Sequence, residues 1–175
     1  MLSLLQSSND LPVEVVILSP AQPERTYYDR DGDRLCHSDD GISPAANAAN
    51  PQAKKCTVCV QNQWGSRITI NGKRGKGCAD FIKLTLRKPD NPQYAETMRV
   101  PSTSIKPFKE FEKELIHRGE ALHHVVTRVS VIYGERRSTL TFRVVRFLRD
   151  DELDALNHAA AQSVSPFATT VGYTT

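Results

Sequence analysis

No stretch of this sequence is long and apolar enough to cross a membrane as a helix. The longest, Val13-Glu14-Val15-Val16-Ile17-Leu18, is interrupted by a carboxylate and falls far short of the roughly 20 residues a span needs. The opening Met-Leu-Ser-Leu-Leu has no basic residue and no sustained apolar core, which argues against a secretory leader. The expected location is therefore the cytoplasm. Catalytic signatures are also missing: there is no GxSxG, no HExxH and no dinucleotide fingerprint. Gly72-Lys73-Arg74-Gly75-Lys76-Gly77 is rich in glycine and cations without the spacing of a P-loop. Asp29, Asp31 and Asp33 are spaced like the start of a calcium loop. Asp40 stands where the distal Glu belongs, so a solvated turn is the better reading. The sequence points to no enzyme. Tryptophan occurs once and cysteine four times in 175 residues, and these scarce residues carry most of the information.

The cysteines are spaced Cys36-x19-Cys56-x2-Cys59-x18-Cys78. In a reducing compartment such a cluster is a metal site more often than a disulfide framework. A CxxC knuckle presents two thiolates to one tetrahedral ion, and two further ligands arrive from distant turns. The expectation is one structural zinc held by Cys36, Cys56, Cys59 and Cys78, with His37 as the alternative to Cys36. Gly75 and Gly77 would give the chain freedom before the last ligand. A redox CxxC normally opens a helix after a strand, a context absent here. Four thiolates also close the coordination sphere and leave no open position for catalysis.

Charge is distributed unevenly. Residues 1–53 hold three Lys/Arg against eight Asp/Glu, residues 54–118 hold fourteen against six, and the remainder has six of each. A basic middle suits a polyanion partner, although solvated lysines around a domain give the same pattern. Between the last two cysteines lie Trp64, Arg67, Lys73, Arg74 and Lys76. One aromatic among cations can stack a base and clamp phosphates. The competing reading makes Trp64 a small core over the knuckle.

The pattern of elements predicts a mainly β protein with α (α+β). Val13–Ser19 reads as a strand ending at Pro20, and Ser43–Lys55 as loop. Phe81–Arg87 alternates, with Ile82, Leu84 and Leu86 inward and Phe81, Lys83, Thr85 and Arg87 sharing the other face, where Lys83 and Arg87 would track phosphates and Phe81 would stack a base. A short strand follows at Glu96–Val100. Ser104 caps a helix with apolar positions Ile105, Phe108, Phe111, Leu115 and Ile116, ended by Gly119. His124–Tyr133 and Thr139–Phe147 form a hairpin through Gly134-Glu135-Arg136-Arg137, with Tyr133, Arg136 and Arg137 at a basic turn. A second helix runs from Asp150 to about Ala161. This order fits a five-stranded Greek-key barrel of the OB type with a zinc-binding insertion at about 29–80 and two helices. Residues 1–12 would be a flexible N-terminus, 13–162 the domain, and 163–175 a disordered tail.

The cysteine segment, with Cys36-His37-Ser38-Asp39-Asp40-Gly41, Cys56-x2-Cys59-x4-Trp64-Gly65-Ser66 and the Gly-Lys repeats to Cys78, resembles phage-encoded single-stranded DNA-binding proteins. In the T4-type member of that class a zinc-bound segment is inserted into an OB fold. The resemblance implies a sequence-nonspecific protein that protects single-stranded DNA, with RNA as a second partner, in DNA replication or recombination. It also implies phage or host replication proteins as partners and the host cytoplasm as location. Two features differ from that class. Its T4-type site uses one histidine with three cysteines, and many members end in an acidic tail, whereas this chain ends without charge. The alternative function is a zinc-containing interaction module that docks a replication or virion protein.

Overall fold

The computed structural model describes residues 12–69, 71–135 and 137–163. It is mainly β with two helices. Arg136 and nearly all of the expected flexible start (1–12) and disordered tail (163–175) lie outside the described residues; of these, Pro12 is described and Ser163 is the last residue of a helix. No helix among the described residues is long and apolar enough to cross a membrane.

The alternating and β-branched runs form strands β1 (Val13–Tyr28), β5 (Cys78–Lys88), β6 (Asn91–Pro101), β7 (Val125–Tyr133) and β8 (Ser138–Phe147). Strand β2 (Arg34–Ser38) and a short ribbon of β3 (Arg67–Ile68) and β4 (Arg74–Gly75) lie in the cysteine segment. The main sheet is antiparallel in the order β6-β5-β1-β7-β8, and β2 is added to β1. It has six strands rather than five. No pairing joins β6 to β8 among the described residues, so closure into a barrel is not shown.

β1 is more than twice the length expected. Pro20 predicts an end there, because proline donates no hydrogen bond to a ladder. Instead the register with β5 skips between Leu18 and Gln22 and then resumes, with Pro23 facing Ile82. Prolines are tolerated in a strand where a bulge removes the need for their N–H. Tyr27 and Tyr28 therefore belong to a strand. One edge of β1 carries β7 at Val13–Val15 and β2 at Arg25–Tyr28, while the other carries β5.

Both faces of β1 are buried. Val15 and Ile17 join Ile82, Leu84, Leu86, Val100, Val125 and Val129 in the main core. Val16 joins Val126, Leu148 and Leu156 in a second cluster. Helix α1 (Ser102–His117) covers the main core with Phe108, Phe111 and Leu115. Phe108 meets Phe142 of β8 edge-on with centroids 5.2 Å apart, and Phe111 stacks on the same ring at 6.0 Å. Ile116 does not join this face; it is 66% exposed. Ser104 is not the cap, since the helix begins at Ser102. Its buried hydroxyl instead accepts a 2.8 Å hydrogen bond from the Leu140 amide, which pins the helix to β8. Gly119 does end the helix, at φ +78°. The Gly119 and Glu120 amides donate back to the Ile116 and Leu115 carbonyls.

Helix α2 (Asp150–Ser163) opens on Asp150, Asp151 and Glu152. Glu152 reaches back to accept from the Arg149 amide at 3.0 Å and from Arg146 at 2.7 Å. Acidic side chains there complement the helix dipole. Leu156 is seated in the second cluster, so α2 covers the part of the sheet that holds Val16 and Val126.

Candidate metal centre and nucleic-acid interface

The cysteine segment leaves the sheet at the end of β1 and returns at the start of β5. Tyr27 of β1 is the register partner of Cys36 on one edge and of Cys78 on the other. The sheet thus carries the first and last cysteines on either side of one residue. Between them the chain folds back on β2: Ala45 donates to the His37 carbonyl at 2.8 Å and Asn50 to the Leu35 carbonyl at 2.7 Å. Asp40 organises this loop by accepting from the Ile42 and Ser43 amides and from the Ser38 hydroxyl. Those bonds hold its carboxyl down at about 2. Asp29 caps its own turn in the same way, through the amides of Asp31 and Asp33, as a solvated turn requires.

The Cys56 amide is tied to the Ile42 carbonyl at 2.8 Å. Two 3-10 turns, Cys56–Val58 and Val60–Asn62, then form the knuckle. The Asn62 amide group donates to the Cys56 carbonyl at 2.8 Å. Gly77 has no left-handed backbone, and the space beside it is bounded mainly by the movable end of the Gln61 side chain. A Cβ there would come within 2.8 Å of the Gln61 side-chain oxygen and 3.4 Å of the Tyr27 ring. Gly75, by contrast, has open space and no positive φ, so the freedom expected of it is not used.

Cys36, Cys56, Cys59, Cys78 and His37 all line one cavity of about 20 Å³, room for about one water-sized particle. The four thiols are free, and Cys56, Cys59 and Cys78 are buried. Burial, then the charges of Asp80, Cys56 and Cys59, push the Cys78 thiol up to about 11. Asn62 lines the same cavity with a buried Oδ1 that has no hydrogen-bond donor in the structure. The donor set, the cavity size and the orphaned oxygen fit a small cation. The side chains do not stand at ligand spacing: among the described residues, no group of three or more His, Cys, Asp or Glu is close enough to hold an ion.

Trp64 does not line the cavity and is 76% exposed, so it is not a core over the knuckle. It precedes the β3–β4 ribbon, whose register sets Arg67 opposite Gly75 and Ile68 opposite Arg74. The Arg74 side chain passes beside Gly65, next to Trp64. Arg67, Lys73 and Arg74 are exposed. Lys76 is half-buried and paired with Asp80, which also holds Arg25 at 3.1 Å.

On β5, Ile82, Leu84 and Leu86 face the core as expected. Phe81 and Lys83 are on the opposite face, and both are already engaged. The Arg99 guanidinium lies 4.0 Å from the Phe81 ring centroid, and Lys83 faces Glu24 at 3.8 Å. Arg87 must be withdrawn as a phosphate ligand. It shares that face, but α2 covers its end of the sheet. Arg87 is 2% exposed and donates to the carbonyls of Pro92 and Ala159. Nothing in the local sequence around Arg87 signals that a helix much later in the chain lies over it.

Tyr133 is 68% exposed at the end of β7, and Arg137 is exposed beside it. The Thr103 hydroxyl donates to the Ser138 carbonyl at 3.2 Å, which ties this hairpin to the start of α1. Because Pro101 pairs with Phe81, the same end of the sheet holds Phe81, the hairpin and the exit of the cysteine segment. Arg99 is the residue that sequence reasoning missed. Only the β5–β6 register, which sets it opposite Lys83, reveals its position. No protein-family model matches the chain, and no curated protein or solved structure matches it.

Proposed function

We propose that this protein binds single-stranded nucleic acid without strong sequence preference, on an OB-type scaffold whose zinc-bound lobe carries part of the binding surface. The observation that carries the reading is Trp64: the only tryptophan of the chain, three-quarters exposed, just before a ribbon that holds Arg67, Lys73 and Arg74. Exposing an indole in water is unfavourable unless a partner covers it, and a base is a flat apolar partner that cations can hold by its phosphates.

The topology supports the same reading. An OB barrel binds oligonucleotides on its second and third strands, between the loop after strand one and the loop between strands four and five. In the order β6-β5-β1-β7-β8, with α1 between β6 and β7, those elements correspond to β5–β6, the cysteine lobe and the β7–β8 hairpin. Each carries exposed or half-exposed aromatic and cationic side chains: Phe81, Lys83 and Arg99; Trp64, Arg67, Lys73 and Arg74; Tyr133 and Arg137. Cys36, Cys56, Cys59 and Cys78 would hold the ion, with His37 able to replace Cys36. Its chemistry there is structural, cross-linking the knuckle to β2 and β5 so that the ribbon keeps its place.

A second reading is favoured by the apolar side chains of the same lobe. Val58, Val60, Trp64 and Ile68 are each more than two-thirds exposed, as on a surface that docks a protein. Anisotropy of labelled single-stranded and duplex DNA at low and moderate salt separates the two. Nucleic-acid binding predicts a salt-sensitive preference for the single strand together with quenching of Trp64 fluorescence. Absence of binding to either DNA leaves the docking reading.

A further inference from the structure

We propose that Arg99, rather than Phe81, is the surface on which the β5–β6 face stacks a base; this rests on the single-strand reading above. Three contacts fix the Arg99 side chain. Its guanidinium carbon sits 4.0 Å from the Phe81 ring centroid. Its Nε donates to Glu24 at 2.7 Å, and its Nη2 donates to the Thr26 hydroxyl at 2.9 Å. The supports are largely shielded: Thr26 is 1% and the Glu24 side chain 11% exposed, whereas the Arg99 side chain remains 41% exposed.

A long surface side chain normally loses rotamer freedom when a ligand arrives. Here that loss has occurred on folding, so a base would meet a preorganised plane. The ring packs against the guanidinium at one side, and the Arg99 side chain keeps enough exposed surface to meet a base. Glu24 also neutralises the cation, which weakens its pull on a phosphate but leaves its planar face intact. Guanidinium planes stack on bases as aromatic rings do. Phe81 acts as the backing of the plane, and Glu24 and Thr26 are its positioning residues.

The test compares a labelled oligodeoxyadenosine with an abasic oligonucleotide of the same length, using the full-length protein. Arg99→Lys keeps the charge and can still pair with Glu24, but it has no plane. It should lose about five- to a hundredfold in affinity for the base-bearing strand and leave the abasic strand unchanged. Phe81→Leu, which keeps apolar packing without the ring, should give the same selective loss. Equal losses on both strands would reduce Arg99 to a phosphate contact and overturn the proposal, as would no loss on either. If the wild-type protein binds neither strand, the single-strand reading itself falls; normal binding by Arg99→Lys removes only the stacking role.

Discussion

Replacing Arg74 by alanine tests the electrostatic reading most directly, because the structure says which cations are available to phosphates. Arg67, Lys73, Arg74 and Arg137 are exposed and form no ion pair among the described residues. Lys76, Lys83 and Arg99 already face Asp80 or Glu24, and Arg87 is buried. Counting the first group only, and taking about 0.7 released counterions per phosphate on a single strand, log K should fall against log salt with a slope of about −2.8. Raising salt about fourfold then weakens binding by about fiftyfold. Arg74→Ala should bring the slope to about −2.1. The assay is anisotropy of a labelled oligonucleotide across a salt series, fitted for wild type and variant together. A wild-type slope shallower than about −1 would refute the count and the phosphate-tracking mechanism with it. An unchanged slope in Arg74→Ala would remove the ribbon from the interface.

The metal proposal predicts about one zinc per chain by elemental analysis. Cys56→Ser should lower that content, loosen residues 56–77 to proteolysis and weaken binding while the Phe108–Phe142 core stays folded; full metal and full affinity in this variant would contradict it. Arg87→Ala should lower stability by roughly 1–3 kcal/mol, because two carbonyls lose their donor, and leave nucleic-acid affinity unchanged. A binding defect at equal foldedness would restore Arg87 to the interface. Asp40 tests the loop: its folded pKa of about 2 lies below the ordinary value of 3.8. Its contribution is therefore fully present above the ordinary value and is lost as pH falls through the folded one. Asp40→Asn should flatten the acid limb of an unfolding curve in that window, and an identical limb would show that the Ser38–Ser43 turn contributes nothing.

What could be read from the sequence was whatever a short periodic pattern dictates. Ile82, Leu84 and Leu86 alternate because one side of β5 meets the core, and Phe108, Phe111 and Leu115 recur at helical spacing because one side of α1 does. Gly119 is legible as a terminator for the same local reason. Cys36 and Cys78 reach one cavity through pairing to a shared residue, Tyr27, which spacing along the chain hints at and register accomplishes. The illegible parts are those decided by distant partners. Pro20 looks like a strand end until a bulge absorbs it. Arg87 looks exposed until α2 lies over it. Arg99 has no signature because its role comes from Phe81, Glu24 and Thr26 on two other strands.

β1 has a consequence for how the chain is made. It is the first strand to be synthesised among the described residues and the one flanked by β5, β7 and β2, yet Val13 must find Val129. While the polypeptide emerges from a ribosome, β2 and then β5 can pair with this strand, but its Val13–Val15 end, β-branched and destined for burial, waits until β7 has been made. High contact order of this kind slows folding and leaves a nascent chain open to aggregation. The Leu18–Gln22 irregularity lies in the middle of that waiting strand. Its interruption of the ladder also breaks up the flat edge on which two nascent copies would otherwise align.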